Sequence, residues 1–160
     1  SIPRHSGQIQ MIYNHKPSQY FHKYIDGPST PLYPFGFGLS YTRFAYSSLK
    51  LSHTRISDKD SFTASIELTN VGDREGTEVV QLYIRDIYSS ATRPVKELKD
   101  FARVTLKPGE KKTVTFTVTP DKLAYWNRNM QYGVEKGEFE IMIGSSSQDK
   151  DLKKVKMEVL

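Results

Sequence analysis

Strict alternation of apolar and polar residues is the feature that most constrains this fold. In Ser61–Asn70 every second residue from Phe62 to Leu68 is apolar, and the residues between them are polar. Lys112–Thr119 repeats the pattern, with three apolar residues separated by threonines. Side chains alternate between the two faces of a β-strand, so each segment predicts a strand with one face in a core and the other in water.

Weaker versions of this alternation recur along the chain, at Leu49 and Leu51, at Val80, Leu82 and Ile84, at Phe139, Ile141 and Ile143, and at Val155, Met157 and Val159. Leu98–Leu106 is a further candidate strand, in which Phe101 and Val104 are out of phase, and a β-bulge would reconcile them. Seven or eight short strands without a long helical pattern predict an all-β chain, folded as an antiparallel β-sandwich.

Turn residues separate these segments. Gly72 and Gly76 lie close together in one connection, and we expect both to provide a positive φ. A Pro-Gly pair ending at Gly109 predicts a tight turn, because proline presets φ at one position and glycine accepts a positive φ at the next. Residues 121–126 are predicted to form a short helical turn.

The start of the chain has a different composition. The first 46 residues hold ten of the nineteen aromatic residues, and the first 34 hold five of the eight prolines. Proline at this density disfavours long helices and interior strands, so residues 1–43 predict an extended arm with one short strand at Gly7–Asn14. We expect its rings to pack against a surface, either of the sandwich at 44–160 or of a neighbouring domain.

Composition also narrows the class of protein. The 160 residues contain no cysteine, which excludes a disulfide framework and a thiolate-ligated metal site. The net charge is +5, and the basic residues form no clustered stripe, so no nucleic-acid partner is predicted. No apolar run approaches the ~20 residues that a membrane-spanning helix needs, so no membrane partner is predicted either.

No catalytic motif stands out in the sequence. The histidines at positions 5, 15, 22 and 53 have spacings that match no catalytic triad or metal signature. The G-x-S-x-G, phosphate-loop and H-E-x-x-H motifs are absent. The spacing of the eighteen acidic residues singles out no pair of catalytic carboxylates. We therefore predict no catalytic residue, no metal site and no cofactor-binding residue.

One run in the arm carries a specific family resemblance. Residues 31–44, Pro-Leu-Tyr-Pro-Phe-Gly-Phe-Gly-Leu-Ser-Tyr-Thr-Arg-Phe, closely resemble the linker motif of glycoside hydrolase family 3. That motif joins an α/β sandwich domain to a C-terminal fibronectin type III-like domain. Residues 7–16 are similar to the last strand of the α/β sandwich and its following loop, with Gln10 where the family often has proline. Later segments resemble successive parts of the fibronectin type III-like domain, at 70–83, 93–101 and 106–110.

The resemblance implies a domain organisation and a function. Residues 1–43 correspond to the tail of the α/β sandwich domain plus the linker, and residues 44–160 to an immunoglobulin or fibronectin type III-like sandwich. The family's nucleophilic Asp and acid/base Glu lie in upstream domains, so no catalytic residue is carried over. The implied function is that of a non-catalytic accessory domain of a retaining exo-β-glycosidase, with β-glucosidase as the favoured activity of the parent enzyme. The accessory domain stabilises and orients the catalytic domains and is inactive alone.

The implied partners are the upstream catalytic domains of the same polypeptide and the oligo- or polysaccharide substrate of the parent enzyme. The implied location is the periplasm or the outside of the cell. The loop Tyr88–Thr92 and the arm are candidates for touching substrate in the intact enzyme.

The candidate site residues are aromatic side chains of the arm. We expect Tyr33, Phe35, Phe37 and Tyr41 to pack between the sandwich and a neighbouring domain, or to line the rim of its cleft. Interfaces favour such residues, and nearby prolines lower the entropy lost on ordering. Two other functions stay open. One is a carbohydrate-binding module that stacks Tyr33, Phe35, Phe37 or Trp126 on sugar faces, and the other is a protein-binding or adhesion sandwich.

Overall fold

Two β-sheets packed face to face dominate the computed structural model, which describes residues 1–8, 10–17 and 27–160. In chain order the elements are β1 (Phe44–Tyr46), β2 (Lys50–Leu51), β3 (Arg55–Ile56), β4 (Phe62–Asn70), β5 (Gly76–Asp86), β6 (Glu97–Leu106), β7 (Lys111–Val118), α1 (Pro120–Leu123), β8 (Tyr125–Trp126), β9 (Tyr132–Gly133), β10 (Gly137–Gly144), a 3-10 turn (Asp149–Asp151) and β11 (Leu152–Val159). The helical turn predicted at 121–126 is observed as the shorter α1. No helix in the described part of the chain is long and apolar enough to cross a membrane.

The strands form a four-stranded sheet, a five-stranded sheet and a small hairpin. In the first sheet, β4 pairs with β7 on one side and with β1 and β2 in succession on the other. The second sheet has the order β3-β11-β10-β5-β6, and all of its pairs are antiparallel except β3 with β11. The hairpin consists of β8 and β9. With β1 and β2 taken as one interrupted edge, eight strands form the sandwich among the described residues, and the predicted fold class is confirmed.

The alternating segments are the strands that fill the core. Phe62, Ala64, Ile66 and Leu68 of β4 are at most 2% exposed, and their polar neighbours point outward. The facing sheet contributes the apolar residues of β5, β10 and β11, among them Leu82, Ile84, Phe139, Ile141, Ile143, Met157 and Val159. Each fully buried side chain of this kind contributes roughly 1.5–3 kcal/mol of transfer free energy, so the inner core is the main source of stability.

Strand β6 contains the predicted bulge. Its register with β5 shifts between Leu82 and Tyr83, and this shift leaves Lys99 as the extra residue. Leu98 and Phe101, three positions apart, therefore lie on the same outer face of the sheet. The bulge explains why the apolar residues of this strand are out of phase in the sequence.

The strand predicted at Gly7–Asn14 is not observed. Within the described part of this segment no residue pairs with another strand, and Ile9 lies outside the described residues. Gln10 has a positive φ of 61°, and the N–H of Ile12 donates back to its carbonyl at 3.0 Å. An extended segment becomes a strand only where a neighbour completes its hydrogen-bond ladder, and no described strand lies beside this one.

Gly72 and Gly76, in the connection after β4, allow a close approach of the backbone rather than a positive φ. Gly109 has the predicted positive φ of 76°, whereas Gly72 and Gly76 do not adopt a positive φ, so that prediction was wrong for both. A Cβ on Gly72 would lie 2.2 Å from Oγ1 of Thr42, and one on Gly76 would lie 2.5 Å from its Cγ2. The two glycines allow the end of the arm to approach the backbone closely.

Asn70 fixes the end of the arm to the sandwich through a fully buried side-chain amide. Its Oδ1 accepts hydrogen bonds from the hydroxyl of Thr42 at 2.7 Å and from the N–H of Gly72 at 3.0 Å. Its Nδ2 donates to the carbonyls of Arg74 at 2.7 Å and Leu106 at 2.9 Å. All four hydrogen bonds of the amide are made, and they join the end of the arm to strands of both sheets.

Candidate functional site

A second apolar cluster lies on the outer face of the five-stranded sheet. Tyr83, Met142 and Leu152 are buried there, although they point away from the sandwich core. Tyr13 and Phe35 of the arm cover them, with their two rings stacked at 4.0 Å and 12°. Tyr13 also meets the ring of Tyr83 edge-on at 6.0 Å. The arm therefore covers a sheet face that antiparallel sheets commonly leave to water. We call this contact the arm–sheet junction.

Backbone hydrogen bonds hold the arm at the junction. The N–H of Ser147, in the loop after β10, donates to the carbonyl of Phe35 at 2.9 Å. The N–H of Val95, in the loop before β6, donates to the carbonyl of His15 at 2.8 Å. Two separated points of the arm are thus fixed to two different loops of the sandwich.

Gln81 is the polar anchor of the junction. Its buried Nε2 donates to the carbonyls of Gly36 at 3.0 Å and Ser145 at 2.7 Å, and its Oε1 accepts from the hydroxyl of Tyr83 at 2.5 Å. Burial raises the pKa of Tyr83 above its usual value, so the hydroxyl stays a donor. Gly36 has a φ of 77°, and a Cβ there would lie 2.0 Å from Oε1 of Gln81. Only glycine fits this position without rearrangement.

The four aromatic residues predicted to form an interdomain surface do not make one cluster. Phe35 points into the junction and anchors the arm to its own sandwich. Tyr33 and Phe37 stack on each other at 5.1 Å and 25°, and each is 42% exposed. Tyr41 is 94% exposed, and its neighbour Leu39 is 89% exposed. Three of the four rings therefore face outward, and their packing against another domain stays a prediction.

Two carboxyl groups have a raised pKa, and each has a structural partner. Desolvation raises the pKa of Asp86 to about 6, against the opposing effect of the Arg93 guanidinium 3.5 Å away. Arg93 also binds Glu97 at 2.6 Å. Desolvation likewise raises the pKa of Glu78, which accepts a hydrogen bond from the hydroxyl of Tyr46 at 2.8 Å. A perturbed carboxyl can mark an active site, but these two belong to local contacts that hold the sandwich together.

No group of three or more His, Asp or Glu side chains within residues 1–8, 10–17 and 27–160 is placed to hold a metal ion. His22, one of the chain's four histidines, lies outside the described residues.

The β8–β9 hairpin brings together aromatic residues that the sequence did not connect. Trp126 and Tyr132 are directly paired across the hairpin, with ring centroids 5.4 Å apart. They are 61% and 56% exposed. The available signal was two aromatic residues flanking a short polar turn, but neither strand is long enough to show an alternation.

Comparison with known proteins decides the family. Residues 78–147 match the family model described as "Fibronectin type III-like domain". The chain is 45% identical over 157 residues to a periplasmic beta-glucosidase of Salmonella typhimurium, a match that covers 92% of this chain and 20% of the relative. It is 46% identical over 162 residues to a beta-xylosidase of Formosa agariphila, covering 99% of this chain and 22% of that one.

This chain contains a fibronectin type III-like domain. The resemblance to a C-terminal segment of family 3 glycoside hydrolases is confirmed. The structure of a b-glucosidase from Erythrobacter marinus agrees with a TM-score of 0.92 at 41% identity, over 99% of this chain and 21% of that one. A beta-glucosidase from Listeria innocua in complex with glucose gives a TM-score of 0.89 at 34% identity, over 98% and 23%. The fibronectin type III-like chain spans about a fifth of the length of the curated relatives it matches.

Proposed function

We propose that this chain is the non-catalytic accessory segment of a retaining exo-β-glycosidase, and that it stabilises and orients the catalytic domains. We propose β-glucosidase as the activity of the parent enzyme. The observation that carries the proposal is the arm–sheet junction. Stacking of Phe35 on Tyr13, together with the bonds of Gln81 to Gly36 and Ser145, fixes the arm on the sandwich. A domain that contacts the arm is then held at a set orientation to the sandwich.

The outward side of the same linker supplies the surface for that contact. Leu39 and Tyr41 are almost fully exposed, and the stacked pair of Tyr33 and Phe37 is half-exposed nearby in the chain. Exposed apolar residues scattered singly are ordinary, but four within nine residues of one linker form a concentrated strip. Aromatic residues are enriched at the centres of interfaces, which supports docking of other domains of the same polypeptide on this strip.

The substrate class and the location follow from the relatives. A periplasmic beta-glucosidase and a beta-xylosidase match nearly the whole chain. We therefore propose that the complete protein hydrolyses β-glycosides of small or polymeric sugars, and that β-glucosides are its preferred substrates. We also propose that it works in the periplasm or outside the cell. The catalytic residues would belong to the other domains, and this chain alone would be inactive.

An assay of the 160-residue chain tests the inactivity. At high concentration, with aryl β-glucoside and aryl β-xyloside as substrates, we expect no turnover above that of an inert-protein control. Turnover that persists through repurification would show that two of the eighteen acidic residues form a catalytic pair, and the proposal would be wrong.

Substitution of the exposed strip in the full-length enzyme tests the docking. Tyr41→Ala combined with Leu39→Ser should lower the melting temperature and speed limited proteolysis between domains. Met130→Ala is the matched control, because Met130 is an apolar residue that is 76% exposed outside the linker. If the double variant and the control melt and digest alike, the strip is not an interdomain surface.

A further inference from the structure

The β8–β9 hairpin presents a fixed pair of rings, which we call the hairpin platform and define as Trp126 and Tyr132. The two residues are directly opposite in an antiparallel pair, so their side chains lie on the same side of the hairpin. Their ring planes are inclined at 52°, and more than half of each residue's surface is exposed. Trp126 is the only tryptophan of the chain.

Hydrogen bonds close the turn of the hairpin. Oδ1 of Asn127 accepts the N–H groups of Asn129 at 2.9 Å and Gln131 at 3.0 Å. The N–H of Asn127 donates to the carbonyl of Gln131, and Met130 adopts a φ of 58° to close the turn. These bonds fix the backbone that carries the two rings before any ligand arrives, which lowers the entropy cost of binding.

The opposite side of the hairpin is fastened to the sandwich. Tyr125 precedes Trp126, so its side chain points to the other side of the strand. The Arg93 guanidinium lies 4.5 Å from the centre of the Tyr125 ring. Ser90 bonds both to the Tyr125 hydroxyl at 3.2 Å and to the Glu135 carboxylate at 2.6 Å. Trp126 is therefore exposed on a hairpin that is fixed to the sandwich, and not on a loose loop.

The surroundings of the platform match a carbohydrate better than a protein surface. The residues between the two rings are mostly polar, and the side chains of Arg128, Asn129 and Gln131 make no hydrogen bond to any described residue. Aromatic residues occur at protein interfaces too, but the centre of such an interface is contiguous and apolar, whereas polar side chains border these two rings. A β-linked pyranose has an apolar C–H face and a rim of hydroxyl groups. Flat rings bordered by amide and guanidinium donors offer contacts to both.

We propose that Trp126 and Tyr132 bind β-linked gluco-oligosaccharides by stacking on successive sugar rings, with Arg128, Asn129 and Gln131 as hydrogen-bonding partners of the hydroxyl groups. The choice of sugar rests on the proposed function, because it follows from the β-glucosidase relatives. The site itself rests on the geometry of the hairpin.

Titration of the 160-residue chain with cellohexaose tests the proposal. Because Trp126 is the only tryptophan, its emission reports on the platform alone. We expect a saturable change in emission and the same affinity by calorimetry. Trp126→Ala, followed by calorimetry, and Tyr132→Ala, followed by both methods, should each weaken binding by about tenfold or more.

Two exposed aromatic residues elsewhere provide matched controls. Tyr41→Ala in the linker and Phe101→Ala on β6 remove rings that are 94% and 60% exposed, and both variants should bind cellohexaose like the parent chain. Circular dichroism checks that every variant is folded, and Tyr132→Ala keeps the test available if Trp126→Ala does not fold.

Two results would overturn the proposal. One is the absence of saturation up to the solubility limit of cellohexaose, and the other is an unchanged affinity in both platform variants. Neither bears on the thermal stability of the linker variants in the full-length enzyme, so failure of the platform and failure of the accessory function are distinguishable.

Discussion

The inner core of the sandwich and the cluster at the arm–sheet junction are both apolar, yet they are assembled in different ways. The inner core draws on residues that alternate along long strands, and its stabilisation is non-directional burial. The junction collects single residues from distant parts of the chain, such as Tyr13, Phe35 and Leu152. It also depends on directed contacts, because the Gln81 amide and the φ of Gly36 must both fit.

Strand β5 shows what this difference teaches. Leu82 faces the inner core and Tyr83 faces the junction, and both are fully buried. One strand therefore serves as a wall of the core and as a base for the arm. The inner side should tolerate changes of shape that keep volume, whereas the outer side should be sensitive to small changes in backbone geometry.

The largest expected effect is on the inner side. Phe139→Ala removes a ring that is 1% exposed and should lower the free energy of unfolding by about 3–5 kcal/mol, measured by denaturant titration. Phe139→Leu, which keeps most of the volume, should cost less than about 1.5 kcal/mol. A loss below about 1 kcal/mol for the alanine variant would contradict the assignment of Phe139 to the main core.

Gly36→Ala tests the geometric demand of the junction. The left-handed φ costs roughly 1–2 kcal/mol for a residue with a Cβ, and displacement of Gln81 adds about 1 kcal/mol for its lost hydrogen bonds. We expect a total loss of about 2–3 kcal/mol in thermal or denaturant unfolding. Gly38→Ala is the control, since a Cβ there meets nothing within 4 Å and should change stability by less than about 0.5 kcal/mol.

Phe35→Ala measures the burial contribution of the arm. The ring is only partly buried, so we expect a loss of about 1–2 kcal/mol, clearly smaller than for Phe139. Hydrogen exchange should quicken at the amide of Ser147, which donates to the Phe35 carbonyl. The proposed accessory function further predicts that the same change loosens the domains of the full-length enzyme. Equal costs for Phe35→Ala and Phe139→Ala would contradict the smaller burial contribution of the junction.

A further expected effect is a pH dependence at the edge of the inner core. Desolvation raises the pKa of Asp86 from 3.8 to about 6, so the native state binds this proton more tightly than the unfolded chain does. The contribution of Asp86 to stability therefore falls as the pH rises from about 4 to about 6. The melting temperature of Asp86→Asn, relative to the parent chain, should rise over that interval. A difference that is constant from pH 4 to 7 would contradict the raised pKa.

The inner core could be predicted from the sequence because its residues alternate locally. Ser61–Asn70 contains the whole of β4, and the phase error in β6 indicated the bulge at Lys99. A period of two reports directly which side chains share a face. The predicted fold class therefore needed no knowledge of long-range contacts.

The junction could not be predicted in the same way. Alternation in β5 assigns Gln81 and Tyr83 to a solvent-facing side, and only the covering arm makes them buried. Proximity in sequence alone groups Phe35 with Tyr33, Phe37 and Tyr41. The arm has no periodicity that separates the ring facing its own sandwich from the rings facing outward.

The junction has a consequence for how this fold can be inherited. A recombination event at residue 44, where the composition changes, would produce a sandwich with Tyr83, Met142 and Leu152 bare on its outer sheet. Such a patch favours self-association over solubility. Gene fusions that spread this sandwich to new enzymes should therefore retain the segment from Tyr13 onward, so that the transferable module begins well before its first strand.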